Sequence, residues 1–138
     1  TVDEVVVLCN LARNAIALRV EAKAVQYLRE IVAIAEGTYE IPVVLPVLWN
    51  CAGLAALRGE WEQALRLDGA AKEFQEKHNL FDSVDARFHA RSMSTAREAV
   101  GTDPADAAFA AGRAMGSDTA IREAEVWLGA LAIEGRAS

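Results

Sequence analysis

An internal repeat of 40 residues constrains the fold more than any other feature of this sequence. Shifting the chain by 40 positions superimposes five identical residues, which are Leu8 on Leu48, Asn10 on Asn50, Ala12 on Ala52, Ala15 on Ala55 and Ala24 on Ala64. Repeats of this length are typical of supersecondary units that bury their apolar faces only by stacking on one another. The sequence therefore predicts an array of similar units.

The apolar residues recur at intervals of three and four almost throughout the chain, which predicts amphipathic helices. Alanine, the best helix former, provides 28 of the 138 residues, whereas proline occurs three times. Breakers and caps divide the pattern into about seven helices. We expect them over residues 3–18, 21–36, 43–58, 60–78, a stretch capped by Asp82 and ended by Gly101, 104–115 and 118–134. Pro46 is expected in the first turn of the third helix, and Asn79 in a left-handed position after the fourth.

These helices predict an all-α fold of antiparallel hairpins stacked as a short right-handed superhelix. One domain is expected over residues 1–138, with repeat 1 at about 3–36, repeat 2 at about 43–78, and a variant third repeat plus final helix at about 82–134. Small residues at the crossings allow helix axes to approach to about 8–10 Å. The expected packing positions in both repeats are Ala12, Ala24, Ala52, Ala64 and Ala71.

The chain starts at Thr1 without a methionine and continues into the apolar run Val5-Val6-Val7-Leu8. We therefore expect it to be a fragment of a larger protein. Val5, Val6, Val7, Leu8 and Leu11 span more than one side of the first helix, so this helix is expected to mediate a homodimer.

The second repeat resembles the tetratricopeptide repeat. Leu48, Ala52 and Ala71 stand at its apolar and small positions, and the segment Gly59-Glu60-Trp61-Glu62-Gln63-Ala64 follows its glycine–acid–aromatic–x–x–alanine pattern. The resemblance implies that Gly59 and Trp61 form the turn and packing positions of the unit. Arg19-Val20-Glu21 replaces the corresponding residues of the first repeat, and Asp68 stands where the family prefers an aromatic residue.

The later segments Leu67–Phe74, Ala96–Gly101, Ala107–Met115 and Ala120–Ala124 are similar to the C-terminal repeat region of large bacterial signal-transduction ATPases, which often carry LuxR-type DNA-binding domains elsewhere. This resemblance implies a regulatory, signal-relaying segment of a bacterial transcriptional regulator. It implies a cytoplasmic protein that acts through protein–protein contacts.

Several functional classes find no support in the sequence. No apolar run reaches the length of a membrane span, and a net charge of −6 argues against direct nucleic-acid binding. The histidines, His78 and His89, are expected at the surface or at helix ends, without a metal. Cys9 and Cys51 are expected to be buried structural thiols, consistent with a reducing cytoplasm. No nucleotide-binding or hydrolase motif is present, so no cofactor and no enzymatic activity are expected.

The predicted concave surface carries the candidate binding residues, which are Asn10, Arg13, Trp49, Asn50, Arg87 and Arg91. The asparagines are interpreted as ligand clamps, or alternatively as partners within their own helix pair. Arg13 is interpreted as the cation beside such a clamp. Arg87 and Arg91 share a face of the fifth helix and are interpreted as contacts to an acidic peptide or a carboxylate, or alternatively as salt-bridge partners of Asp82, Asp85 or a neighbouring helix. The expected function is a non-catalytic interaction and regulatory module that binds a protein segment. The alternative is a domain that senses a small metabolite.

Overall fold

The computed structural model describes residues 1–81 and 85–137 and confirms the predicted all-helical class. It has seven helices in these residues, which are α1 (Val2–Ala17), α2 (Glu21–Ala35), α3 (Ile41–Leu57), α4 (Trp61–Lys77), α5 (Asp85–Val100), α6 (Thr102–Met115) and α7 (Ser117–Ala137). All seven contribute to one continuous cluster of buried residues. The predicted cap at Asp82 lies outside the described residues.

The turn that joins α1 to α2 is repeated between α3 and α4. The amide of Val20 donates to the carbonyl of Ala15 at 2.8 Å, and 40 residues later the amide of Glu60 donates to that of Ala55 at the same distance. Gly59 has a φ of +78° and Arg19 one of +60°. Arg19 therefore adopts the left-handed conformation for which the second turn uses glycine. The 40-residue repeat in sequence is thus a repeat in backbone structure.

The small residues predicted at the crossings are buried. Ala12, Ala24, Ala52 and Ala64 have no exposed surface, and Ala71 is 1% exposed. In each hairpin the first helix packs against the second, and α1 also packs against α3. Alanine side chains keep these helices close together because they add little volume between the two backbones.

Helix α3 lies at the centre of the molecule. It carries no charged residue, and neighbouring helices cover most of its circumference, as expected for a helix that is apolar on all sides. The helix begins at Ile41, two residues before the predicted start, with Pro42 in its first turn. Pro46 therefore lies inside the helix, and the prediction that it occupies the first turn was wrong. Pro46 has no amide hydrogen to donate to the carbonyl of Pro42.

Helices α4 and α6 cross at very short distance. A Cβ atom built on Gly69 would lie 2.0 Å from the carbonyl oxygen of Phe109, and one built on Gly112 would lie 1.8 Å from that of Arg66. The two glycines thus allow the helices to touch backbone to backbone. As a result α6 packs mainly on α4 and only marginally on α5, so the third unit departs from the tight hairpins of the first two.

The last helix, α7, packs across α2 and α4 and also reaches α3. Polar contacts hold it there. The Tyr39 hydroxyl donates to Glu125 at 2.7 Å, and Trp127 Nε1 donates to Glu60 Oε1 at 3.2 Å. Glu60 belongs to the segment that resembles a tetratricopeptide repeat, and here it joins the second hairpin to α7. No helix among the described residues is both long and apolar enough to cross a membrane.

An arginine at the end of α3 connects three parts of the chain. Arg58 contacts Glu21 of α2, donates from Nε to Glu60 Oε2 at 2.7 Å, and donates from Nη2 to Glu134 of α7 at 3.3 Å. These carboxylates raise the pKa of the Arg58 guanidinium above its usual range, and the hydrogen bond with Glu60 is the largest cause. Arg58 therefore fastens α2 and α7 to the second turn.

Candidate functional site

A groove runs between α1 and α5, with α3 as its floor. Both outer helices pack on α3, yet no Cα atom of α1 lies within 8 Å of one in α5 among the described residues. At one end the groove holds a cavity of about 240 Å³. Its lining includes Ile16 of α1, Gly53 and Leu57 of α3, and Phe88, Ser92 and Thr95 of α5.

Gly53 forms part of the floor of the groove. A Cβ atom on Gly53 would lie 3.5 Å from the nearest carbon of Ile16, which is an ordinary contact. The backbone is therefore not forced to use glycine at this position, where Gly53 lies against Ile16 in the lining of the cavity. The site can accommodate side chains of a bound segment between Ile16 and Phe88.

The groove contains no carboxylate among its described lining residues, whereas Arg19 lines its larger cavity. Arg13 lines a second, smaller cavity of about 20 Å³, which shares Phe88 with the first. Along α5, Arg91 lies four residues before Thr95 and therefore on the same side of that helix. Because the chain as a whole has a net charge of −6, the positive groove differs in sign from the rest of the molecule.

Three of the six predicted binding residues come together in the structure. Arg13, Trp49 and Asn50 line the smaller cavity, with Phe88 and His89. Asn50 is buried, and its Nδ2 donates to the carbonyls of Cys9 at 3.2 Å and of Pro46 at 2.9 Å. Its amide nitrogen therefore joins α1 to α3.

The other three predicted residues, Asn10, Arg87 and Arg91, are exposed and line neither cavity. Asn10 thus differs from Asn50 in burial, although the two share a register in the repeat. Arg87 and Arg91 stand four residues apart on one side of α5, the side that also carries Thr95.

His89 is a site residue that sequence reasoning placed wrongly. The expectation of a histidine at the surface or at a helix end holds for His78, which caps α4, but His89 is only 9% exposed. Its Nε2 lies 2.6 Å from Oδ1 of Asp68, and its ring stacks on Trp49 with centroids 5.3 Å apart. The one signal for this pairing in the sequence was Asp68, an acidic residue at a partly buried position of α4 where the tetratricopeptide pattern prefers an aromatic residue.

The two cysteines are buried and unpaired, as predicted. Burial raises the pKa of the Cys9 thiol and of the Cys51 thiol to about 12. Both thiols are therefore protonated at neutral pH, and a protonated thiol is a poor nucleophile and metal ligand. Among the described residues, no group of three His, Cys, Asp or Glu side chains is placed to hold a metal ion.

Comparisons of the chain with protein-family models, with curated proteins and with solved structures find no match.

Proposed function

We propose that this chain is a non-catalytic interaction module whose groove between α1 and α5 binds an acidic segment of another protein or of another domain of the same polypeptide. The observation that carries the proposal is the groove itself, which is open between two helices and whose described lining residues include arginine but no carboxylate. The repeated turns after α1 and α3 support the further proposal that the hairpins form a short right-handed superhelix of the tetratricopeptide type.

The lining of the groove suits a peptide better than a rigid small molecule. Leu57 on the floor and Phe88 on the α5 wall offer apolar surface, and Ser92 and Thr95 on the same wall offer hydroxyl groups. Arg13 and Arg19 supply positive charge along the opposite helix and its end. A segment with alternating apolar and acidic residues would satisfy all three features, since charge complementarity selects among partners.

We propose a regulatory setting for this recognition, in the signal-relaying part of a bacterial transcriptional regulator or signalling ATPase. The resemblance of residues 48–128 to such proteins supports it. A cytoplasmic location is supported by the two unpaired thiols, which suit a reducing compartment. The high pKa of both thiols supports a role without covalent catalysis.

The test is a binding screen with fluorescein-labelled acidic peptides and with the same peptides in amide form, in which Asp and Glu are replaced by Asn and Gln. We expect the acidic peptides to bind more tightly, and the difference to shrink at high salt, because exposed charges are screened. In the Arg13→Glu variant the affinity for the acidic peptide should fall about tenfold, which corresponds to a loss of about 1.4 kcal/mol of binding free energy.

Arg29→Glu is the matched control, because Arg29 is exposed on α2 and does not line the groove. A second variant, Gly53→Leu, fills the floor of the groove without changing its charge. Peptide binding that survives both Arg13→Glu and Gly53→Leu, while the variants remain folded, would contradict the proposed site.

A further inference from the structure

A second cleft lies between α4 and α5, on a different face of α5 from the groove. It has a volume of about 370 Å³, within the range of small-molecule sites. The α5 residues that line it include Met93 and Ser94, whereas Phe88, Ser92 and Thr95 face the groove. The cleft therefore shares no described lining residue with the larger cavity of the groove.

Buried polar side chains are concentrated at this cleft. The described residues include three, which are Asn50, Gln75 and His89. Gln75 and His89 both line the cleft, and each is 9% exposed. Buried polar side chains are unfavourable unless they are hydrogen-bonded, and of the two it is His89 whose ring has an atom without a partner.

His89 has an unused hydrogen-bonding atom. Its Nε2 lies 2.6 Å from the Asp68 carboxylate, which accepts from the N–H. In the neutral ring this fixes Nδ1 as an acceptor. Nδ1 is buried and has no hydrogen-bond partner in the structure. A buried acceptor without a donor is unfavourable, and a donor from a ligand would satisfy it.

The other lining residues of the cleft indicate the chemistry that the rest of a ligand must have. Lys72 is exposed and lines it from α4, while Trp49 and Met93 supply apolar surface. Asp68, the acidic residue in the lining, is already engaged by His89. A ligand therefore needs a hydrogen-bond donor for His89 and a negative group for Lys72.

From this arrangement we infer that the cleft between α4 and α5 binds a small hydroxy- or amino-carboxylate, with its O–H or N–H donating to Nδ1 of His89 and its carboxylate near Lys72. The site is distinct from the larger cavity of the peptide groove, but Trp49 and His89 line both the cleft and the smaller cavity beside Arg13. The Trp49 ring stacks on His89 at an interplanar angle of 26°. A bound acid is therefore expected to change the surroundings of Trp49.

The experiment is calorimetric titration with three acids that share one carbon skeleton, which are L-malate, L-aspartate and succinate. Malate carries a hydroxyl donor and aspartate an ammonium donor, whereas succinate lacks both. At least one of the first two should bind ten times more tightly than succinate or better, because a site built to pair with a donor rejects the analogue that lacks it. Equal binding of all three, or binding of none, would overturn the inference.

Two variants and a control locate the site. Lys72→Met and His89→Gln should each weaken binding of the preferred acid about tenfold or more. Lys77→Met is the matched control, because Lys77 is exposed on the same helix outside the cleft and should leave the affinity unchanged. Equal affinities in Lys72→Met and Lys77→Met would contradict the assignment of the carboxylate.

A measurement on the wild-type protein tests the contact with His89 even if the His89→Gln variant fails to fold. The chain has two histidines, so ¹⁵N-histidine labelling gives two assignable rings. The preferred acid should shift the Nδ1 resonance of His89 and leave His78 unchanged. A shift at His78 alone, or at neither ring during saturation, would overturn the proposed contact.

Discussion

Arg19 and Gly59 occupy equivalent places in two consecutive hairpins and share a left-handed backbone, with φ of +60° and +78°. The hydrogen bonds around them repeat as well, since the Arg19 amide donates to Ile16 and the Gly59 amide to Ala56, both at 3.0 Å. The fold thus imposes the same conformation on a residue that favours it and on one that does not.

Replacing Arg19 with glycine is expected to stabilise the protein by about 1 kcal/mol, because the left-handed conformation costs an L-residue roughly 1–2 kcal/mol and glycine almost nothing. The comparison variant is Gly59→Ala, which adds a Cβ in open space and should lower stability by a similar amount. Urea denaturation measures both changes. A lower stability of Arg19→Gly would contradict the expectation that the two turns are energetically equivalent.

The contact between α4 and α6 predicts a large effect at Gly112. Gly112→Ala places a Cβ against the backbone of Arg66, so the helices must separate and stability should fall by about 3 kcal/mol or more, beyond ordinary overpacking. Gly129→Ala is the control. Its Cβ meets nothing within 4 Å inside α7, and alanine should raise stability by up to about 1 kcal/mol. Thermal unfolding of the two variants should shift in opposite directions.

The sequence predicts much of this fold because local patterns specify it. Apolar spacing locates all seven helices, and the repeat identifies buried alanines such as Ala12 and Ala52. The close crossing of α4 and α6 could not be predicted from apolar spacing or from the repeat. Gly69 and Gly112 lie 43 residues apart, and a glycine inside a helical pattern alone does not identify its neighbour.

The candidate site could be predicted only in part, for a similar reason. Asn50 follows from the repeat register, Arg13 from the need for a cation beside it, and Trp49 from its place next to Asn50 in the sequence. His89 and Asp68 lie on different helices, and their pairing depends on how α5 packs against α4. No local pattern in the sequence encodes this packing.

The buried thiol of Cys51 predicts a pH dependence. Burial raises its pKa from 9.0 to about 12, so folding favours the protonated thiol. Its contribution to stability is therefore complete below about pH 9 and is lost as the pH rises toward 12. The free energy of unfolding should fall more steeply over this range in the wild type than in Cys51→Ala, as measured by urea denaturation. If the free energies of unfolding of the wild type and of Cys51→Ala change with pH in parallel, the Cys51 thiol does not contribute to the pH dependence of stability.

The first helix predicts self-association. Val5 is buried, but Val6, Val7 and Leu11 are 40%, 57% and 39% exposed. We expect this apolar surface to pair two copies at micromolar concentration, and Val6→Lys with Val7→Glu to restore the monomer without loss of helix content. Light scattering and circular dichroism measure the two properties. A wild-type monomer at high concentration would contradict the proposed homodimer.

The most direct test of the proposed function is to map where an acidic peptide binds, using amide NMR spectra of the ¹⁵N-labelled protein. The tightest acidic peptide from the screen is titrated in, with its amide counterpart as the control. We predict the largest shifts at Gly53, Ser92 and Thr95, and little change along α2. Shifts confined to α2 or α7, or no saturable shift with any acidic peptide, would contradict recognition by the groove.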